Sequence, residues 1–171
     1  MNIKKRALSS IIFFIFLFFI SSARIQSENR FGKTQLTHLY YSLKNSAEEY
    51  LKKGRFQEAV QAFQQALMLA EEVKHHEKIE CYMRLGLLYW NTGKLNKSSS
   101  NYTKALSLAE RFDQKDKVEE CRKALDIYKL YMEGKRCRYS ANYQKSIECL
   151  QEAINLARQL GSKEHEVKCL R

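Results

Sequence analysis

The chain has 171 residues, with 30 Lys+Arg against 19 Asp+Glu, five Cys, six Gly and no Pro. At 29% charged and 44% hydrophobic residues it is neither disordered nor collagen-like. The missing proline disfavours a loop-rich sandwich and suits a mostly helical chain, because proline clashes inside a helix and has no N–H to donate. The formal net charge of +11 raises nucleic-acid binding, and the placement of the charges argues against it.

Residues 1–23 carry three cations (Lys4, Lys5, Arg6), then an unbroken apolar run over 11–20, then Ser21, Ser22 and Ala23. These are the parts of a secretory signal peptide, with small residues where a signal peptidase cuts. The competing reading is an uncleaved membrane anchor, although the apolar run is short of the ~20 residues that cross a bilayer. No cysteine follows the run, so a lipoprotein anchor is not supported. Removing the segment takes away three cations and no acid. The remaining cations alternate with acids, as in Glu71-Glu72-Val73-Lys74 and Asp113-Gln114-Lys115-Asp116-Lys117, which is a solvated helix surface and not a phosphate-tracking stripe. The expectation is an exported chain, periplasmic, in the cell envelope or secreted, with no nucleic-acid partner and a membrane contact only through an uncleaved N-terminus. Residues 24–34 read as a short linker.

From residue 35 onward the chain repeats itself. Gln65-Ala-Leu-Met-Leu-Ala-Glu71, Lys104-Ala-Leu-Ser-Leu-Ala-Glu110 and Glu152-Ala-Ile-Asn-Leu-Ala-Arg158 recur at spacings of 39 and then 48. Gly54 matches Gly93, Tyr50 matches Tyr89 and Phe63 matches Tyr102. Cys81, Cys121 and Cys169 recur at 40 and 48. Each unit reads as two helices, the first stopped by a glycine that supplies a left-handed cap. The second carries apolar residues at helical spacing: Phe56, Val60, Phe63, Leu67 and Ala70, then Leu95, Tyr102, Leu106 and Ala109. The units fall at about 35–75, 76–114 and 115–161, with a partial fourth at 162–171. In the third, the first helix is expected over about 118–133, without Leu-Gly at the expected place. Its extra residues are expected around 134–142, as a longer helix or a looped insertion.

Tyr82-x-x-Leu85-Gly86-x-x-Tyr89, followed by Ser98-x-x-x-Tyr102-x-x-Ala105, resembles the tetratricopeptide repeat. Ala47, Tyr50, Gly54, Ala59, Phe63 and Ala66 carry the likeness in the first unit. The usual period is about 34, so the longer spacing is similar to a subclass with units of about 40 residues. The resemblance implies an all-α fold, a right-handed α-solenoid of about three antiparallel helix pairs with a truncated fourth. Because Val167-Lys168-Cys169-Leu170-Arg171 opens a fourth unit without a polar cap, the chain is expected to be a fragment or the front of a longer one, and to self-associate through this end.

No phosphate loop, nucleophile elbow or outstanding carboxylate pair is present. His38, His75, His76 and His165 show no metal-ligand spacing with cysteine. No catalytic residue, cofactor or metal is expected. Cys81, Cys121 and Cys169 are expected as small buried residues, and Cys137 with Cys149 as the pair to bridge if any does. The glycosylation patterns at Asn96 and Asn101 fall on a predicted helix and are treated as accidental. By the resemblance, the first helix of each unit lines a concave groove. Carried over, its positions are Lys44, Glu48, Leu51 and Lys52; Met83, Leu87, Trp90 and Asn91; and Lys123, Ile127, Leu130 and Tyr131. Trp90 reads equally as a binding anchor or as inter-repeat core. Some relatives grip a terminal carboxylate with a Lys/Asn/Arg clamp, but Glu48 stands where Asn is wanted. The expected role is a non-catalytic scaffold for protein or peptide partners; the alternative is a regulatory or sensor segment of a longer exported protease or kinase.

Overall fold

The computed structural model describes residues 32–73 and 75–170. The signal segment at 1–23 lies outside the described residues. Among the described residues the chain is entirely helix and short turn: α1 (residues 32–52), α2 (Phe56–Val73), α3 (His75–Asn91), α4 (Leu95–Arg111), α5 (Lys115–Tyr139), α6 (Tyr143–Gln159) and α7 (Lys163–Cys169). The fold is all-α, as expected. The helices pack in sequence order, α2 on α3, α3 on α4, α4 on α5 and α5 on α6; α7 packs on α6 and also returns to α3. No described helix is long and apolar enough to cross a membrane.

Small residues at the crossings let these helices approach. Ala47, Ala59, Ala66, Ala70 and Leu85 pack with Tyr40 and Phe63 in the first buried cluster. A second cluster joins Ile79, Tyr102, Ala105, Cys121 and Ala124, and a third joins Trp90, Ile127, Ala153, Ala157 and Cys169. Each cluster draws on neighbouring units, so no helix pair buries its apolar surface alone.

Five turns of the same form reverse the chain. In each, one residue takes the left-handed conformation: Gly54, Gly93, Asp113, Ala141 and Gly161, with φ of 71°, 76°, 51°, 58° and 68°. The next N–H reaches back to the helix, as in Arg55 N to Tyr50 O at 2.9 Å, Lys94 N to Tyr89 O at 2.8 Å and Asn142 N to Cys137 O at 2.9 Å. This pattern satisfies carbonyls that the helix end leaves open. Glycine enters the conformation freely, whereas a Cβ makes it costly by roughly 1–2 kcal/mol. Ala141→Gly is therefore expected to stabilise the chain by about 1 kcal/mol, read as a rise of a few degrees in melting temperature. A fall in melting temperature would contradict this account of the turn.

Two glycines mark close approach. A Cβ on Gly86 would lie 2.8 Å from the Tyr102 ring, and one on Gly134 would lie 2.9 Å from Leu150. Gly134 thus does for α5 against α6 what Gly86 does for α3 against α4, and Ser146 adds a hydroxyl bond to the Gly134 carbonyl at 2.8 Å. The third unit keeps a contact glycine, although Glu133 and not leucine precedes it. The extra residues are helix, not loop: α5 has 25 residues against 17 in α3. They lie between Cys121, the counterpart of Cys81, and Gly134, the counterpart of Gly86, upstream of the 134–142 stretch where they were expected. Buried Ser98, the counterpart of Ser146, has an unpartnered hydroxyl.

All five cysteines are free thiols, Cys137 and Cys149 included. Cys81, Cys121, Cys137 and Cys169 are buried. Burial pushes the Cys121 thiol up to about 12 and the Cys169 thiol up to about 11, so they pack as neutral apolar groups. Asn96 and Asn101 are held within α4: the Tyr128 hydroxyl donates to Asn96 at 3.2 Å, and Asn101 donates to the Lys97 carbonyl at 2.7 Å.

Candidate functional site

The first helices of successive units, α3, α5 and α7, converge on a cavity of about 310 Å³. Glu80, Met83, Arg84 and Leu87 enter it from α3 at i, i+3, i+4 and i+7, one face of the helix. Lys117, Glu120 and Ala124 line it from α5, and Tyr102 from α4. Leu160, Glu164 and His165 close it where α6 turns into α7. Met83, Leu87, Ala124 and Leu160 are the aliphatic part of a lining that is otherwise largely charged or polar.

The charges of the lining are shared. Arg84 Nε lies 3.1 Å from Glu48 and 3.0 Å from Glu80. Lys117 Nζ lies 2.9 Å from Glu120 and 3.8 Å from Glu80. Burial works against the Lys117 ammonium, but Glu120 and Glu80 outweigh it and hold its pKa above the ordinary value. Glu164 accepts from the Ser162 hydroxyl at 3.3 Å, and no cation among the described residues pairs with it. Tyr102 is kept protonated, chiefly by burial, with Cys121 and Glu164 adding to the effect.

Of the twelve groove positions expected from sequence, the structure brings only Met83 and Leu87 to this cavity. Trp90 has no exposed surface. Its ring lies 5.1 Å from Tyr131 and 4.8 Å from His165, and its Nε1 donates to the Glu164 carbonyl at 3.3 Å. Lys168 donates to the Trp90 carbonyl and sits over the indole at 5.5 Å. Helix α7 therefore covers Trp90, which is core here and not a surface anchor. Ile127 is fully buried too, with Leu130 and Tyr131 packed around the same cluster. Lys44 pairs with Glu77 at 3.4 Å and Glu48 with Arg84, so neither is arranged as a carboxylate clamp. Leu51 packs on the first cluster and Lys52 is exposed. Asn91 borders a separate hollow with Phe56, Val167 and Lys168, and Lys123, paired with Glu119 at 2.7 Å, borders another beside Arg122 and Asp126.

Glu80, Arg84, Lys117 and Glu120 were missed, although each lies on the helical face that carries a chosen or neighbouring position. Extending Met83 and Leu87 by one turn towards the N-terminus would have found Glu80 and Arg84. Nothing in the sequence placed His165 or Glu164 there, because that depends on α7 folding back.

His165 is 1% exposed. Its Nδ1 lies 2.7 Å from the Ser162 hydroxyl and its Nε2 has no partner. Burial, with Lys168 nearby, depresses its pKa to about 4. The folded chain thus binds this proton later than the unfolded chain, whose histidine titrates near 6.5. Its contribution is whole above that value, falls as the pH drops from about 6.5 to about 4, and then levels off. The wild type is expected to lose about 3 kcal/mol across that window, measured by urea unfolding at a series of pH values. His165→Gln is expected to flatten the slope. Parallel curves for the two proteins would contradict a buried neutral imidazole.

An all-helical array of antiparallel pairs, with neighbouring units sharing each core cluster and first helices facing one cavity, is a helical-repeat solenoid. The family model of the tetratricopeptide repeat matches residues 38–111, the stretch from α1 to α4. No curated protein matches the chain.

Proposed function

We propose that this chain is a non-catalytic, exported scaffold that binds segments of partner proteins in the cavity where α3, α5 and α7 converge. Tetratricopeptide repeats are protein-interaction modules, which supports the class. The observation that carries the reading is one cavity lined both by the apolar Met83, Leu87, Ala124 and Leu160 and by charged side chains. A photo-crosslinking amino acid at position 87 is expected to form adducts with a partner, whereas the same group at position 68, exposed on α2, is not. Equal labelling from both positions would sink the reading. Export is supported by residues 1–23 and predicts a mature chain that begins at Arg24; retention of Met1 in a cytosolic chain would overturn it.

Ile147 on α6, Val167 on α7 and Leu170 just past its end are exposed, and they support self-association at this end. Sedimentation is expected to show a concentration-dependent mass that Ile147→Glu lowers. A wild-type monomer at every concentration would remove this part of the proposal.

A further inference from the structure

The chain carries a net +11, yet the charged side chains of the cavity are three carboxylates (Glu80, Glu120, Glu164) and two cations (Arg84, Lys117). Glu48 stands behind them as a fourth acid, 3.1 Å from Arg84. Both cations are divided between two acids each, and Glu164 is left with the Ser162 hydroxyl. The imidazole of His165 adds no positive charge, since burial keeps it neutral at pH 7. The lining of this one cavity in a basic protein thus carries an excess of acid.

We propose that this cavity takes the side chain of a lysine or arginine presented by a basic peptide segment of the partner. The inference rests on the cavity being the binding face, and it adds the chemistry of what binds. A long aliphatic stem lies along Met83, Leu87, Ala124 and Leu160 while its charged head meets the carboxylates, the usual division of labour in these amphipathic side chains. Glu164, unpaired with any described cation, and Glu120 receive the head through charge-assisted hydrogen bonds. An acidic or phosphorylated segment would instead set its charge against these carboxylates in a half-enclosed space, where repulsion is less screened than on an open surface. Complementarity of charge selects the basic occupant.

The test uses a short lysine-rich synthetic peptide, the same peptide with norleucine for lysine, and the same with glutamate, titrated by fluorescence anisotropy. The lysine peptide is expected to bind at least about tenfold tighter than the norleucine one, and to weaken as salt rises. Glu164→Gln and Glu120→Gln are each expected to weaken it about tenfold while leaving norleucine binding unchanged. Glu164 is exposed, so its substitution leaves the fold intact. Equal binding of the lysine and norleucine peptides, or Gln variants that bind as the wild type does, would overturn the proposal. Leu87→Arg, which puts a cation into the cavity, separates this failure from that of the broader reading. If neutral or acidic peptides bind as tightly as the lysine peptide and Leu87→Arg abolishes that binding, the cavity stands and its basic preference falls. If no peptide binds, or binding ignores Leu87→Arg in a chain that still melts cooperatively, both fall.

Discussion

Trp90→Ala is expected to lower the unfolding free energy by roughly 3–5 kcal/mol, the range for deleting a fully buried large aromatic. The indole has no exposed surface and lies among Ile127, Ala153, Ala157 and Cys169, with α7 folded over it. Its loss leaves a cavity and removes the donor to the Glu164 carbonyl. Urea unfolding measures the first effect. Amide exchange in residues 163–169 measures the second, since a seven-residue helix holds little structure without its packing partner. A variant within about 1 kcal/mol of the wild type, with α7 still protected, would return Trp90 to the surface. Trp90 is the one tryptophan of the chain, so native emission is expected to be blue-shifted and to report on α7 more than on a bound segment.

Glu77→Ala is expected to cost about 2 kcal/mol, in the range for losing hydrogen bonds to a buried charged group. Glu77 is 7% exposed. Tyr40 donates to it at 2.6 Å and Tyr41 at 2.9 Å, and the Lys44 ammonium lies 3.4 Å away. These three side chains all come from α1, so Glu77 ties the first unit to α3. Removing the carboxylate leaves the buried Tyr40 hydroxyl with only the Cys81 sulfur at 3.7 Å, while Glu77→Gln keeps an acceptor and costs roughly half as much. The pH dependence has a definite sign. Burial pushes the carboxyl up, but the two hydroxyls and Lys44 outweigh it and hold it below the ordinary value. Its stabilisation is therefore complete above the unfolded glutamate value of about 4.3 and is lost as the pH falls through the folded one. That window begins where the His165 window is ending, so the two separate in a pH series. Melting curves of wild type and Glu77→Gln that run parallel below the ordinary glutamate range would contradict the assignment.

Much of this architecture is legible in residue types. Glycines at 54, 93 and 161 announce turns because a left-handed residue favours the absence of a Cβ, and the alanines announce crossings because two backbones approach there. Asp113 and Ala141 occupy the same turns without announcing them. The length of α5 was harder to place. A helix extended by further turns has no breaker to mark the addition, so the repeat spacing showed that residues were added but not where. Gly134 was legible as a glycine, but its part in the α5–α6 contact required the register of two helices.

Sequence by itself determined that this is an array of helix pairs, where most of its turns fall, and that Met83 and Leu87 share a helical face. Tertiary structure decided which faces are open. A first helix in such an array packs both on its own partner and on its neighbours, so helical periodicity names two buried faces without saying which one a later segment covers. For Trp90 that segment is α7, seven residues whose own apolar pattern is too short to show direction. Its return to α3 decides between anchor and core in favour of core, and it brings Glu164 and His165 to the wall of the cavity. The +11 of the whole chain conceals this local acidity, because net charge is a sum over residues and a binding face depends on which of them converge.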